Sequence, residues 1–314
     1  MTSQQVRVTT GSRLHFGLLD TAKPFGGVGV MIEHPITEVI ARRADTFQGP
    51  AIAAERVLGI AERYRRRFHL DALPACQIEI ARRPPAHTGL GTGTQLAMAV
   101  AEAISELLNP SLVDETTAFH IADRGRRSAV GIHGYRHGGL IYEDADNAAE
   151  LNPIRQRIDV PRQWCVAILR PTQETMTISG DVELDQFSKL PATTSAQRDH
   201  FRNQITSQLL PAIQNGDFDA FSEAVHRYNR DSGLLFESVQ NGPYNGTAVS
   251  SLVDFLRSNR IKGVGQSSWG PSVFAWFATR EDAQQFVSNQ IDPSKVHVLL
   301  THAKNEPRQI ESQP

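Results

Sequence analysis

The sequence predicts a protein of the α+β class, because short strands and amphipathic helices are interspersed along both halves of its 314 residues. Apolar and polar residues alternate in segments such as residues 75–81, as they do in half-buried strands. Apolar residues recur every three or four positions in residues 52–64, which is helical spacing. A polar stretch with two prolines, residues 143–161, separates the halves. We therefore expect two domains, residues 1–160 and 161–314.

The other elements follow from the same patterns. Strands are predicted at residues 5–10, 28–33, 37–42, 75–81, 140–142, 164–169, 272–278 and 295–300. Helices are predicted at residues 50–68, 96–104, 114–123, 194–215, 217–229, 247–259 and 280–288, and a loop at residues 173–186. The first helix ends in a run of arginines, which suits the negative end of a helix dipole.

Composition excludes several classes of protein. The net charge of −2 indicates no general attraction to nucleic acid. No apolar run approaches the roughly 20 residues that span a bilayer, and the polar N-terminus lacks a signal-peptide core. Cys76 and Cys165 fit no metal or redox spacing, so we expect small buried side chains in a reducing compartment. A cytoplasmic protein without a nucleic-acid or membrane partner is expected.

A glycine-rich stretch at residues 84–104 is the strongest functional signal. Gly89, Gly91 and Gly93 alternate with Leu90 and Thr92 before an apolar helix. A glycine-rich turn that leads into a helix N-terminus can bind a phosphate, although a tight turn before a core helix gives the same pattern. No Gly-Lys-[Ser/Thr] follows, and the stretch does not follow the first strand, so neither a Walker loop nor a dinucleotide fingerprint is predicted.

Polar residues also interrupt the apolar run at residues 11–20. Ser12, Arg13, His15 and Asp20 lie on a predicted strand. Buried strands rarely hold so many polar groups without partners. The segment is therefore either an edge strand with a solvated face or a strand whose polar side chains face a cleft.

Two further glycine-rich stretches lie at residues 124–139 and 263–271. In the first, Arg126, Arg127 and Ser128 could bind phosphate or carboxylate through paired N–H donors. It also holds two histidines four residues apart, but a zinc site would need a third ligand that the sequence does not supply.

Together these stretches resemble the GHMP kinase superfamily. Its members carry a polar N-terminal strand, a Pro-x-x-x-Gly-Leu-Gly-Ser-Ser-Ala loop before a helix, and a C-terminal glycine-rich loop. The matching segments here are residues 11–20, 85–95 and 263–270. The resemblance implies a two-domain α+β fold, with an N-terminal domain like domain 2 of ribosomal protein S5 and a ferredoxin-like C-terminal domain.

Within the superfamily, the sequence motifs are similar to those of the β-ribofuranosylaminobenzene 5′-phosphate synthases. The similar segments are residues 12–20, 89–96, 127–134 and 265–271. That family joins 5-phosphoribosyl 1-diphosphate to 4-aminobenzoate, with release of diphosphate and CO₂, early in tetrahydromethanopterin biosynthesis. The resemblance implies these small-molecule substrates, or 4-hydroxybenzoate as acceptor, together with Mg²⁺ and a homodimer.

The resemblance also implies roles for individual residues. Catalytic roles are expected for Ser12, Arg13, His15, Asp20 and His133, and Mg²⁺ ligation for Asp20 and Thr94. Substrate binding is expected for Gly89, Gly91, Thr92, Gly93, Thr94, Gln95, Arg126, Arg127, Ser128, Gln266, Ser267, Ser268 and Trp269, with the Trp269 ring against the aromatic acceptor.

One difference from the sequences of the kinases argues against the usual phosphoryl transfer. The kinases place an aspartate, in Ser-Gly-x-Asp, six residues before a Gly-Gly pair, and it acts as base toward the accepting hydroxyl. Here Gly131 occupies that position before Gly138 and Gly139. Glycine cannot accept a proton, so the usual phosphoryl transfer is not expected. A kinase with a relocated base and a non-catalytic ligand-binding relative remain the alternatives.

Overall fold

The protein is described from a computed structural model, over residues 4–110, 116–125, 127–147, 149–172 and 190–313. The strands are β1 (Gln5–Leu18), β2 (Gly27–Arg43), β3 (Cys76–Arg82), β4 (Leu140–Glu143), β5 (Ile154–Ile158), β6 (Cys165–Pro171), β7 (Val264–Gln266), β8 (Val273–Phe277), β9 (Val296–His302) and β10 (Gln309–Gln313).

The helices are α1 (Ala54–Arg67), α2 (Thr92–Leu108), α3 (Thr117–Ala122), α4 (Val130–His137), α5 (Ser195–Gln204), α6 (Leu210–Gln214), α7 (Phe218–Leu234), α8 (Glu237–Gln240), α9 (Gly246–Ser258) and α10 (Arg280–Gln290). A π-helical turn, Ile205–Leu209, joins α5 to α6. The mixture of helices and sheets confirms the predicted α+β class.

Two antiparallel sheets organise these elements. The first has the order β10-β1-β2-β4-β5, with β3 paired to the far half of β2, and the second has the order β7-β8-β6-β9. Strand β10 comes from the end of the chain yet pairs with β1, so the last residues join the N-terminal sheet. The domain boundary at residue 160 stays a prediction. Strand β10 belongs to the second half of the chain but pairs with a strand of the first half.

Helix α2 is the central helix of the first layer. Its Ala-rich sequence favours a helix and lets neighbouring backbones approach closely. Nearly every side chain between Gln95 and Ile104 is buried, against the first sheet and helices α1 and α3. Helix α1 contributes Val57, Ile60 and Tyr64, which share one face at helical spacing. This packing fixes the N-terminus of α2 at the edge of the sheet.

Three differences from the predicted elements have local causes. Residues 28–33 and 37–42 form one continuous strand, β2, rather than two. Residues 130–137 form helix α4 despite two glycines, because Val130, Ile132 and Tyr135 are buried. Strand β5 lies within the stretch expected to be only a linker. The loop predicted at residues 173–186 and the start of the helix predicted at residue 114 lie outside the described residues.

Candidate active site

A cavity of about 1250 Å³ opens where the four glycine-rich or polar stretches, residues 11–20, 84–104, 124–139 and 263–271, meet. Its walls come from β1, the loop before α2, the segment before α4, helix α7 and residues 266–270. The described lining holds six lysines and arginines against two carboxylates, one of which, Glu150, is bonded by His120 at 2.7 Å. A cavity with this charge excess is suited to an anionic ligand.

The loop before α2 requires glycine at two positions. Gly89 and Gly91 have φ values of +78° and +68°, which L side chains rarely adopt. A Cβ at Gly89 would lie 2.3 Å from the carbonyl oxygen of Ser267, and one at Gly91 would lie 3.1 Å from Arg13 Nε. The loop backbone therefore packs directly against residues 11–20 and residues 263–271.

Helix α2 begins in the cavity wall without a side-chain cap, because Gly91 occupies the N-cap position. The first N–H groups of a helix lack intrahelical partners and attract anions. Thr92 lines the cavity, and its buried Oγ1 has no hydrogen-bond partner among the described residues. A buried hydroxyl without a hydrogen-bond partner is unfavourable unless a ligand forms a hydrogen bond with it.

Basic side chains crowd around the same helix end. A Cβ at Gly93 would lie 3.2 Å from Arg56 Nη1 and 3.4 Å from Arg124 Nη2. Burial, and then the positive charge of Arg83, lower the pKa of Arg56. Cations held together in this way are typical of a site that binds several negative charges.

Strand β1 supplies the floor of the cavity. The Arg13 N–H donates to the Leu90 carbonyl at 2.9 Å, and the His15 N–H donates to Ser267 Oγ at 3.0 Å. The His15 ring places Nε2 3.1 Å from Ser128 Oγ. Burial, and then the charge of Arg13, lower the pKa of His15 well below its ordinary value, so its imidazole is neutral near pH 7.

The opposite wall is partly aromatic. Trp269 and Phe236 pack edge to face, with ring centroids 4.9 Å apart. Asn245 donates to the Trp269 carbonyl at 2.9 Å, and Asn229 on α7 donates to the carbonyls of Phe16 at 2.6 Å and Gln266 at 2.8 Å. These amides tie the C-terminal loop to β1.

Most of the residues predicted to be catalytic or to bind substrate line this cavity. Those residues are Arg13, His15, Gly89, Gly91, Thr92, Gly93, Thr94, Arg127, Ser128, Gln266, Ser268 and Trp269. The sequence therefore identified segments that the fold does bring together. Arg126 lies outside the described residues.

Three other predicted residues are part of the scaffold instead of the lining. Ser12 is fully buried and its hydroxyl donates to the Pro35 carbonyl at 2.6 Å. Gln95 is also fully buried and donates to the Gly131 carbonyl at 2.9 Å. Ser267 Oγ accepts from β1 and donates to the Gly89 carbonyl at 2.8 Å. Their polar atoms hold segments together, so the catalytic role expected for Ser12 and the substrate contacts expected for Gln95 and Ser267 stay predictions.

Asp20 and His133 also lie outside the cavity lining among the described residues, and their expected roles stay predictions. Asp20 pairs with Arg198 at 3.0 Å and accepts the Ala22 N–H at 3.0 Å, so its carboxylate joins the end of β1 to α5. His133 Nε2 lies 2.7 Å from the Asn152 carbonyl, and burial lowers the pKa of His133. This geometry gives His133 a structural hydrogen bond.

Several lining residues carried no sequence signal. Arg56 and Arg83 come from α1 and the end of β3, and Lys23, Phe25 and Phe236 from loops. Arg56 belongs to a helix whose basic residues look like a solvated face. A functional role for such residues becomes visible only when the fold brings them to one cavity.

The described parts of the chain contain no group of three or more His, Cys, Asp or Glu side chains that could hold a metal ion. No helix among the same residues is long and apolar enough to cross a membrane.

The sequence is similar to three archaeal proteins named β-ribofuranosylphenol 5′-phosphate synthase. Identity is 26% to the protein of Methanothermobacter thermautotrophicus, over 85% of this chain and 87% of the relative. Identity is 29% to that of Archaeoglobus fulgidus, over 86% and 87%, and 25% to that of Methanocaldococcus jannaschii, over 95% and 98%.

Family models and solved structures agree on the fold. The GHMP kinases N-terminal domain matches residues 55–140, and the GHMP kinases C-terminal domain matches residues 209–289. A homoserine kinase from Cytophaga hutchinsonii superposes with a TM-score of 0.70 at 15% identity, over 99% of this chain and 98% of that one. Mevalonate diphosphate decarboxylase from Staphylococcus aureus gives 0.68 at 16%, over 98% of each. The chain belongs to the GHMP kinase superfamily, in which its sequence relatives are the β-ribofuranosylphenol 5′-phosphate synthases.

Proposed function

We propose that this protein transfers the phosphoribosyl group of 5-phosphoribosyl 1-diphosphate to a para-substituted benzoate, with loss of CO₂ and diphosphate. The main support is similarity to the named synthases over most of both chains. Their names contain a ribofuranosylphenol, which favours 4-hydroxybenzoate over 4-aminobenzoate as acceptor. The observation that carries the proposal is one cavity with cations and a glycine loop on one side and an aromatic wall on the other.

The 5-phosphate and the diphosphate of the donor would bind different parts of this cationic side. The glycine loop and the start of α2, with the hydroxyls of Thr92 and Thr94, suit the diphosphate. The guanidinium groups nearby, from Arg56, Arg83 and Arg124, add charge for the phosphates at both ends of the ribose.

The acceptor benzoate would occupy the aromatic side, where Trp269 can contact its ring by an offset or edge arrangement. Arg127 lines the same cavity and can pair with the carboxylate through its planar fork of donors. Holding the ring and the ribose together supplies much of the catalysis, because the attacking ring carbon is already electron-rich from its para substituent.

The residues act mainly on charge that develops in the reaction. As diphosphate leaves, the ribosyl carbon gains oxocarbenium character and the leaving oxygen gains negative charge. Donors along residues 89–94 and the nearby guanidiniums stabilise the departing group. No hydroxyl needs to be deprotonated before attack, which agrees with the absence of a carboxylate at Gly131.

Mg²⁺ fits this donor set through the substrate. The hydroxyls of Thr92 and Thr94 would hold Mg²⁺ together with phosphate oxygens of the substrate, and the Thr92 hydroxyl has no other partner among the described residues. When bound, Mg²⁺ neutralises charge on the diphosphate. Asp20 is not proposed as a ligand, since Arg198 already pairs with it.

A kinase with a relocated base is less well supported. A Cβ at Gly131 would lie 3.3 Å from Thr94 Cγ2 and 3.7 Å from Gln95 Nε2, so α2 covers this position. A side chain added there would meet α2 directly. The likeness to homoserine kinase concerns the fold alone.

The decisive experiment incubates the purified protein with phosphoribosyl diphosphate, Mg²⁺ and carboxyl-labelled 4-hydroxybenzoate or 4-aminobenzoate. We expect labelled CO₂ and diphosphate in equal amounts. Absence of labelled CO₂ with both acceptors would overturn the proposal, and ADP formation from ATP with a hydroxylated acceptor would support the kinase instead. A place early in tetrahydromethanopterin biosynthesis, a cytoplasmic location and a homodimer remain predictions tied to this activity.

A further inference from the structure

A buried carboxyl group lies directly behind the cavity wall. Glu143, the last residue of β4, is fully buried, and its Oε2 accepts the Ala129 N–H at 2.8 Å. Its Oε1 is also buried and has no hydrogen-bond partner within ordinary distance among the described residues. A buried carboxylate with an unpartnered oxygen is costly, and a proton on the group removes that cost.

Ser128 connects this carboxyl to the cavity. The Ser128 side chain lies beside the Glu143 carboxyl, where it favours the ionised form and opposes the rise in the Glu143 pKa. On its other side it lies 3.1 Å from His15 Nε2. Ser128 and His15 line the cavity, whereas Glu143 does not. A row of neighbouring polar groups therefore leads from a ligand-accessible hydroxyl to a proton-binding group behind the wall.

The surrounding charges determine where a proton resides in this row. Arg13 on β1 faces both His15 and Glu143, and the Tyr228 phenol on α7 and the Asp144 carboxylate lie nearby. Burial raises the pKa of Glu143 to about 7, although Ser128 and two backbone N–H groups oppose that rise. Near neutral pH the carboxyl can hold a proton while the imidazole stays neutral.

The proposed reaction takes up one proton. The ribosyl C–O bond breaks and its electron pair goes to the diphosphate oxygen. The ring carbon then bonds to the ribosyl carbon, and the bond to the carboxylate breaks, so that its electrons restore the aromatic ring as CO₂ leaves. Diphosphate departs with an additional anionic oxygen, which is protonated near neutral pH.

Building on the proposed function, we propose that Glu143 supplies this proton through the Ser128 hydroxyl, which His15 holds in place. Ser128 gives its hydroxyl proton to the departing diphosphate and takes the proton of Glu143. Ser128 is then the catalytic residue of the row, and Glu143 and His15 act through it. Solvent returns the proton to Glu143 after the products leave.

Glu143→Gln tests the inference, because glutamine keeps the shape and polarity but has no proton to transfer. General acid catalysis contributes about 10²–10⁴-fold, so we expect kcat to fall at least about 100-fold with little change in the KM for phosphoribosyl diphosphate. The wild-type kcat should decrease as pH rises through about 7, where Glu143 loses its proton, and this decrease should be absent from the variant. Glu143→Asp should retain the pH-dependent decrease and recover part of the rate.

Glu102→Gln is the matched control, because Glu102 is a buried carboxyl outside the cavity lining. It should change stability but leave the pH profile of kcat as in the wild type. A Glu143→Gln variant with wild-type kcat and pH profile would overturn the inference while the proposed function stands. A wild-type protein that releases no diphosphate would overturn the proposed function, and the inference with it.

Discussion

At the scale of single residues, glycine and threonine define the anion side of the cavity. Gly89 and Gly91 both adopt a left-handed conformation, but their surroundings differ. A Cβ at Gly89 meets a backbone oxygen, whereas one at Gly91 meets the side chain of Arg13. Backbone cannot move aside as readily as a side chain. A substitution at Gly89 should therefore mainly affect folding, and one at Gly91 should mainly affect ligand binding.

Gly91→Ala should fold and bind poorly, while Gly89→Ala should fold poorly. The left-handed conformation costs alanine about 1–2 kcal/mol at either site, and Gly89→Ala adds a backbone collision. Thermal unfolding should show the larger loss for Gly89→Ala. Isothermal titration with phosphoribosyl diphosphate should show weaker binding for Gly91→Ala, because Arg13 is displaced. Equal stability of the two variants would contradict this assignment.

Thr92→Val should weaken donor binding without loss of stability. The change removes a buried hydroxyl that has no partner among the described residues, so folding loses no known hydrogen bond. A hydrogen bond to a charged group is worth about 1.5–3 kcal/mol, so the KM for phosphoribosyl diphosphate should rise about tenfold or more. Thr37→Val is the control, since Thr37 Oγ1 is buried and unpartnered in the same way but does not line the cavity. A similar change in KM in both variants would contradict a contact between the Thr92 hydroxyl and the donor.

At the scale of elements, helix α5 is joined to the first sheet by charge. Arg198 pairs with Asp20 at 3.0 Å and with Asp144 at 2.8 Å, and Arg202 pairs with Asp144 at 2.7 Å. Burial raises the pKa of Asp144, but hydrogen bonds from Arg202 and Arg198 outweigh it and lower the pKa overall. The two ion pairs of Asp144 therefore stabilise the folded state only while the Asp144 carboxyl is ionised.

Arg198→Met should destabilise the protein by about 3 kcal/mol near neutral pH, because two mostly buried carboxylates lose a partner. A lowered folded pKa gives stability that is present above the unfolded pKa, near 4, and lost as pH falls through the folded value. The difference between wild type and Arg198→Met in urea unfolding should thus shrink below pH about 4. Arg227→Met, on an exposed face of α7, is the control and should have little effect at any pH. A pH-independent difference would exclude this electrostatic origin.

At the scale of the whole molecule, the chain's last strand completes its first sheet. Strand β10 pairs with β1 over residues 309–313, and Arg308 bonds the buried carboxylate of Glu102 while its N–H donates to the Tyr135 carbonyl at 3.0 Å. The C-terminal segment therefore supports the strand that carries Arg13 and His15.

Deletion of residues 307–314 should weaken the N-terminal sheet, far away in sequence. The deletion exposes the edge of β1 and leaves Glu102 buried without its guanidinium. Hydrogen exchange should show faster exchange in β1 and β2, with little change in β6 and β8. Ser312→Ala, which changes an exposed residue of β10, should leave exchange unchanged. Equal acceleration in both sheets would mean that β10 stabilises the molecule globally.

The sequence determined on its own the α+β class, most elements and the segments that line the cavity. Helical and alternating periodicity is local, and glycine-rich loops are constrained by their own backbone, so both are visible in the order of residues. It could not separate Arg13, which lines the cavity, from Ser12, which bonds to Pro35, because adjacent residues on a strand face opposite sides and register decides which side is buried.

Only the tertiary structure assigned Arg56 and Arg83 to the cavity, paired Asp20 with Arg198 and placed Glu143 behind Ser128. Each of these depends on contacts between residues distant in the chain. The electrostatic character of a side chain is set by its burial and charged neighbours, and these exist only after folding. The glycine loop is a local property of this sequence, whereas the chemistry around it is a property of the fold.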